Sequence, residues 1–169
     1  MKYYLFLILS FFLIFQSFAQ QIEKELISTY YLIRHAEKDR SNANNKDPHL
    51  TASGLLRTEN WAKTLKHVQF DAVYSTNYNR TRETAQPFAD AIQLEITYYD
   101  PRNFELDKFI KSTRGDKVLI VGHSNTIPDL VNSLINKEKY EQIEDTNNSN
   151  LYIVIKQYAL ILDQILVVD

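Results

Sequence analysis

The chain has 169 residues, which suits one domain with a substantial buried core. Its 19 basic and 21 acidic residues give a formal net charge of −2 and form no basic run, so the sequence does not support nucleic-acid binding. The absence of cysteine excludes disulfides and lipid attachment at a cysteine.

Residues 1–19 have the pattern of a signal peptide. Lys2 precedes a long apolar run, and Ser17 and Ala19 supply the small residues of a cleavage site. This pattern predicts cleavage after Ala19, a domain over residues 20–169, and a periplasmic or secreted location without stable membrane insertion. An uncleaved N-terminal anchor is the alternative, although the run is short for a membrane-spanning helix.

Beyond residue 20, apolar β-rich runs alternate with helical patterns. Strands are predicted at Thr29–Ile33, Phe70–Tyr74, Leu94–Tyr99 and Lys117–Val121, and helices at Thr51–Val68, Arg80–Ile92, Glu105–Lys111 and Thr126–Asn136. The final runs "NLYIVIKQ" and "LILDQILVV" predict an antiparallel hairpin.

Two helices carry specific expectations. The inward face of the first is predicted to include Leu55 and Trp61, which recur with other apolar residues at helical spacing. In the second, Pro87 is expected to kink the helix or to confine regular helix to the residues after it.

The alternation of strands and helices predicts an α/β fold, a mostly parallel sheet with helices on both faces and a C-terminal antiparallel hairpin. Ligands in such folds bind beyond the carboxyl ends of the strands. Arg34 and His35 follow the first strand, "STNYNRTR" follows the second, and Gly122 and His123 follow "KVLIV". A site is therefore expected at this rim.

Imidazoles beside guanidinium groups suit phosphoryl transfer. Guanidinium groups bind phosphate oxygens in pairs, and nearby cations keep a histidine neutral and nucleophilic. The start of the helix after "GHSNT" would add amides that bind an anion, and Gly122 would let the backbone approach the ligand. Together these features indicate phosphoryl transfer to histidine.

Four motifs carry a resemblance to a known family. In order and spacing, "RHAE", "LTASG", "YSTNYNRTRETA" and "VGHSNT" resemble the histidine phosphatase superfamily, whose members have the phosphoglycerate mutase-like fold. The resemblance extends from about residue 29 to about residue 168. It implies that His35 becomes a phosphohistidine, that Arg34 and Arg80 hold phosphate, and that His123 binds phosphate and stabilises the transition state.

The sequence also departs from the family pattern. Ala36 stands where the commonest form has glycine, and Thr76-Asn77-Tyr78 replaces the usual Ser-Pro-Leu. The family often places a proton-donating carboxylate in the segment that here reads "YYDPRNFELDKF". By that resemblance Glu105 is the first candidate and Asp100 the second. Glu37 is a third because it lies two residues after His35, and some small relatives lack an obvious donor, so the chain could lack one too.

Several residues are assigned to simpler roles. His49, His67, Lys38, Arg82 and Glu83 are expected to be ordinary surface residues. Some of the remaining side chains could ligate a metal, namely His35, Glu37, His123 and Asp129, but the neighbouring arginines would repel a divalent cation. The sequence therefore implies neither a metal nor an organic cofactor.

By resemblance the chain is a metal-independent phosphatase of the histidine acid type. It would hydrolyse a phosphorylated small molecule or a phosphoprotein through a phosphohistidine. A phosphohistidine-protein phosphatase is one alternative, and a phospholigand-binding domain without turnover is another. The short polar loops do not identify the substrate.

Overall fold

A computed structural model of the chain describes residues 26–168. The predicted signal peptide at residues 1–19 lies outside the described residues. None of the helices within the described part has both the length and the apolar character that crossing a membrane requires.

Strands and helices alternate along the chain, as the sequence predicts. The strands are β1 (Ile27–Arg34), β2 (Ala72–Thr76), β3 (Ile96–Tyr99), β4 (Lys117–Gly122), β5 (Asn150–Gln157) and β6 (Leu160–Val167). The helices are α1 (Ala52–Thr64), α2 (Asn79–Ile92), α3 (Leu106–Ser112) and α4 (Thr126–Ile135), and a short 3-10 turn covers Pro101–Asn103.

The six strands form one sheet in the order β3-β2-β4-β1-β5-β6. The pairs β3-β2, β2-β4 and β4-β1 are parallel, whereas β1-β5 and β5-β6 are antiparallel. This confirms the mostly parallel sheet and the C-terminal hairpin, which turns at Tyr158 with a positive φ of 51°. The parallel part brings the carboxyl ends of β1, β2 and β4 to one edge.

Helices cover both faces because the buried central strands are apolar on each side. In β4, Val118 and Ile120 pack toward α3 and α4, while Leu119 and Val121 pack toward α1 and α2. All four side chains are fully buried. The largest buried side chain, Trp61 of α1, belongs to the second of these cores.

The expectation about Leu55 is wrong, and so is one of the two alternatives for Pro87. Leu55 is 50% exposed because α1 turns Gly54 and Thr58 inward instead. A Cβ on Gly54 would lie 2.3 Å from the carbonyl oxygen of Glu37, so this close approach requires glycine and sets the inward face. Pro87 lies inside α2, which begins at Asn79, so the helix is not confined to the residues after the proline.

Candidate active site

The register of β1 and β4 places the two predicted histidines side by side. Arg34 pairs with Gly122, and the backbone N–H of His35 donates to the Gly122 carbonyl at 2.9 Å. His35 and His123 come directly after these paired residues, and their ring centroids are 5.6 Å apart. The expected convergence at the carboxyl edge of the sheet is therefore present.

His35 is held as a neutral imidazole with a defined tautomer. Its Nδ1 lies 2.7 Å from the Ala36 carbonyl oxygen, which can only accept, so Nδ1 carries the proton and Nε2 keeps its lone pair. Burial lowers the pKa of His35 to about 3, and the nearby Arg34, His123 and Arg80 act in the same direction. The ring thus has the protonation state of a nucleophile at neutral pH.

Two further residues fix the backbone beside His35, and the sequence analysis missed both. Thr84 Oγ1 accepts from the Ala36 N–H at 3.0 Å, and the Asn148 side-chain amide donates to the His35 carbonyl at 2.7 Å. They therefore hold both polar groups of the His35–Ala36 peptide. Thr84 could have been suspected from the sequence because it lies one helical turn after Arg80 and therefore on the same side of α2. In the structure the Thr84 hydroxyl donates to the Arg80 carbonyl at 2.7 Å.

His123 connects β4 to β2 and to Arg80. Its Nε2 lies 2.9 Å from Thr76 Oγ1, and its Nδ1 lies 3.4 Å from Arg80 Nη2. Because a guanidinium can only donate, Nδ1 is the acceptor and Nε2 carries the proton toward Thr76. Burial, and then Arg80, lower the pKa of His123 to about 4.

Arg80 has hydrogen-bonding capacity left for a ligand. Its side chain is 12% exposed, and Nε and Nη1 have no hydrogen-bond partner among the described residues. Asp47 Oδ1 lies 3.7 Å from Nη1, too far for a hydrogen bond, and the guanidinium carbon lies 4.6 Å from the centre of the Tyr78 ring. A buried guanidinium left in this state is costly unless a ligand completes it.

Arg34 is engaged differently from the simple phosphate clamp that the resemblance implies. Its Nη1 donates to the carbonyls of Glu144, Asp145 and Asn147 at 2.8 to 3.2 Å, and its Nη2 pairs with the Asp145 carboxylate at 2.8 Å. Nε is buried and has no partner among the described residues. Arg34 thus ties the segment before β5 to the site and keeps one free N–H.

Gly122 was expected to let the backbone approach a ligand, but the space that a side chain would occupy there is filled by other parts of the protein. A Cβ at this position would lie 2.9 Å from Ile127 Cδ1 and 2.9 Å from the Tyr99 hydroxyl. The lack of a side chain therefore lets α4 and β3 pack against the end of β4.

These residues line one open pocket of about 610 Å³. Its walls include the four predicted site residues, together with Lys38, Tyr78, Tyr99, Asp100, Arg102 and Asp145. Lys38 is half-buried, so the expectation that it is an ordinary surface residue is wrong. Burial, and then Arg80 and Arg40, lower the pKa of Lys38.

The three candidate proton donors lie at different distances from the pocket. Glu105 stands before α3 with its side chain 73% exposed, faces Lys108 at 3.7 Å, and lines a different depression. Asp100 does line the pocket, but the Arg102 side chain donates to both its oxygens and lowers its pKa. Glu37 pairs with Arg57 at 2.7 Å and lines a separate depression with His35 and Lys38. Of the three candidates, only Asp100 lines the pocket.

The metal alternative finds no assembled ligand set. Among residues 26–168 no group of three or more histidine, aspartate or glutamate side chains is placed to hold a metal ion. Of the four side chains considered for a metal, Asp129 lines a neighbouring crevice, away from His35.

Comparison with known proteins gives a family match over part of the chain. The family model of the histidine phosphatase superfamily (branch 1) matches residues 30–101. No curated protein matches the sequence.

Solved structures share the fold at low identity. Phosphoglycerate mutase from Bacillus anthracis is 17% identical, with a TM-score of 0.65 over 85% of this chain and 94% of that one. A mycobacterial glucosyl-3-phosphoglycerate phosphatase is 13% identical, with a TM-score of 0.67 over 83% and 98%. SixA from Agrobacterium tumefaciens, named as a candidate phosphohistidine phosphatase, is 20% identical, with a TM-score of 0.58 over 82% and 97%. The chain has the phosphoglycerate mutase-like fold, and its residues 30–101 match the family model of the histidine phosphatase superfamily.

Proposed function

We propose that the protein is a phosphatase that hydrolyses phosphomonoesters through a phosphohistidine on His35. The observation that carries this proposal is the neutral His35 beside Arg80. Within residues 26–168 the Nε2 lone pair of His35 is left unused by the Nδ1 contact, and the buried Nε and Nη1 of Arg80 have no partner. The match of residues 30–101 to the family model of the histidine phosphatase superfamily and a fold shared with phosphatases agree with it.

The reaction has two displacements. Nε2 of His35 attacks phosphorus, the bond from phosphorus to the ester oxygen breaks, and the alcohol leaves as its anion or takes a proton from water. Water then attacks the phosphohistidine, the P–N bond breaks, and inorganic phosphate departs while Nε2 regains its lone pair. No metal or organic cofactor takes part in this scheme.

The cationic groups around His35 would hold the phosphoryl oxygens. Arg80 would donate Nε–H and Nη1–H, Arg34 would donate Nε–H, and Lys38 would add a positive charge. Preorganised donors of this kind stabilise a transition state because they need no rearrangement as charge develops. His123 would donate its Nε2–H to a phosphoryl oxygen once that oxygen displaces the contact with Thr76.

Hydrolysis of para-nitrophenyl phosphate tests the proposal. His35→Ala should abolish turnover, whereas His67→Ala, at an exposed histidine outside the pocket, should leave it unchanged. Activity that survives in His35→Ala would contradict the mechanism. Phosphate binding by calorimetry without turnover of any ester would indicate a binding domain instead.

A phosphohistidine-protein phosphatase is the second candidate. The pocket is open enough for a side chain on another protein, and SixA, which shares the fold, carries that assignment. A phosphohistidine peptide assayed beside para-nitrophenyl phosphate separates the two, because a protein phosphatase of this kind should show the higher kcat/KM on the peptide.

Export is proposed from the leader sequence alone. Ser17 and Ala19 precede the expected cleavage point, so the mature chain should begin at Gln20. N-terminal sequencing of protein from the periplasmic, medium and membrane fractions measures this directly, and an intact Met1 in the membrane fraction would support the anchored alternative.

A further inference from the structure

A narrow apolar crevice opens beside the phosphate pocket. Its volume is about 180 Å³, and Phe104, Leu106 and Leu130 supply its apolar walls. Tyr99, Pro101 and Thr126 line both the crevice and the phosphate pocket. A phosphoester whose phosphoryl group faces His35 could therefore extend its alcohol portion into the crevice.

The aromatic wall of the crevice is well fixed. The Tyr99 and Phe104 rings meet at a centroid distance of 5.3 Å and an interplanar angle of 67°, and Phe104 packs in turn against the buried Phe109. The Tyr99 hydroxyl lies 3.4 Å from the Val121 carbonyl, and burial raises the pKa of this phenol. The wall is thus neutral and suited to an aromatic ring.

The charges around the crevice disfavour an anionic alcohol portion. Asp129 is the one charged side chain among the described residues that line it, and it is solvent-exposed. A carboxylate or second phosphate on the substrate would meet this negative charge without a cation to receive it. An uncharged group avoids that cost.

The carboxylates of the phosphate pocket limit the chemistry of the leaving group. Asp100 accepts from Arg102 through both oxygens, and Asp145 pairs with Arg34 and Arg40. Both are therefore held ionised, and Arg40 and Arg34 lower the pKa of Asp145 to about 2. A carboxylate in that state does not supply a proton, so the site favours alcohols that depart as weakly basic anions.

We infer that the crevice receives the leaving group and that the substrates are aryl phosphomonoesters of uncharged phenols with apolar substituents. A phenol meets the three conditions above: it presents an aromatic face, carries no second charge and departs as a weakly basic anion. The inference rests on the proposed phosphatase activity.

The test uses phenyl, 4-ethylphenyl and 4-butylphenyl phosphate. A para-alkyl group changes the acidity of the phenol little, so differences in kcat/KM report contacts of the alkyl chain. We expect kcat/KM to rise by up to about fourfold for each methylene that the crevice buries. n-Butyl phosphate, which has a far more basic leaving group, should react at least about a hundredfold more slowly than 4-butylphenyl phosphate.

Two matched variants test whether the dependence of kcat/KM on chain length comes from the crevice. Ser133 lies on the exposed side of α4 and lines the crevice, so Ser133→Phe should fill the crevice and remove the dependence on chain length. Ser112, an exposed serine at the end of α3, lies outside the crevice, so Ser112→Phe should keep that dependence. A chain-length dependence that persists in Ser133→Phe would overturn the inference.

Binding of 4-alkylphenylphosphonates, measured by calorimetry, separates failure of the crevice from failure of the activity. These ligands are not hydrolysed, so their affinity does not depend on turnover. Affinity that rises with chain length, without hydrolysis of any ester, would support the crevice and contradict the phosphatase. Equal kcat/KM and equal affinity along both series would refute the crevice and leave the phosphatase standing.

Discussion

Replacement of Arg80 by methionine should abolish most of the activity without destabilising the protein. Nε and Nη1 are buried and have no hydrogen-bond partner among the described residues. If each donates to the phosphoryl group, each charge-assisted bond contributes about 1.5–3 kcal/mol. The loss of about 3–6 kcal/mol corresponds to a decrease in kcat/KM of about two to four orders of magnitude.

Arg80→Met should change the free energy of unfolding little, so a loss of activity cannot be ascribed to unfolding. Arg80→Met removes a contact with the Tyr78 ring at 4.6 Å, an ion pair at 3.7 Å and the long hydrogen bond to His123 at 3.4 Å, together about 1–3 kcal/mol. It also removes two unsatisfied buried donors, which should offset that loss or exceed it. The free energy of unfolding in urea should therefore stay within about 1 kcal/mol of the parent or rise.

The matched control is Arg82→Met. Arg82 lies on the same helix, donates to Asn77 and Asn79, and does not line the pocket. Its replacement should change kcat/KM less than about threefold. Steady-state kinetics with para-nitrophenyl phosphate measure kcat/KM of both variants, and urea unfolding measures their stability. Arg80→Met within fivefold of the parent, or an equal loss in Arg82→Met, would refute the role of Arg80.

Three further outcomes are expected. Thr84→Val should lower kcat by about tenfold to a hundredfold because the His35–Ala36 peptide loses a hydrogen bond. Thr84→Ser keeps the hydroxyl and should retain most of the activity. If both variants lost the same fraction of kcat, Thr84 would not position His35. Lys38→Met should raise KM about fivefold to tenfold and weaken inhibition by inorganic phosphate, while Lys63→Met on exposed α1 should change neither. For pH, the unfolded chain binds protons on His35 and His123 near pH 6.5, but the folded chain binds them only near pH 3 and 4. The free energy of unfolding, measured in urea, should therefore fall as pH drops from 6.5 toward 4. His35→Gln should make this fall with pH less steep. If the dependence on pH is the same in the variant and the parent, His35 has an ordinary pKa.

Local sequence patterns were sufficient to predict the strands and the convergence of the histidines. A short apolar run rich in branched side chains, such as "KVLIV", is typical of a buried central strand. Parallel pairing then brings the residues after β1 and β4 to one edge. The C-terminal hairpin was predictable for a similar reason, since two apolar runs are separated by only two residues.

The partners of the site residues were not predictable, because they are distant in sequence. Asn148 meets the His35 carbonyl across 113 residues, and the segment that binds Arg34 lies 110 or more residues away. Lys38 differs because it lies close to the nucleophile in sequence, yet its half-burial depends on how the loop after β1 folds back to bridge Leu50. The position of Glu105 likewise depended on the path of the chain after β3.

The central claim is that His35 accepts the phosphoryl group. Protein mixed with para-nitrophenyl phosphate and quenched in alkali within the first turnover should carry one phosphoryl group, which peptide mass spectrometry should place on His35. His35→Asn should carry none under the same conditions. Continued turnover with no phosphoryl group on the protein, or a phosphoryl group at another residue that persists in His35→Asn, would contradict the account.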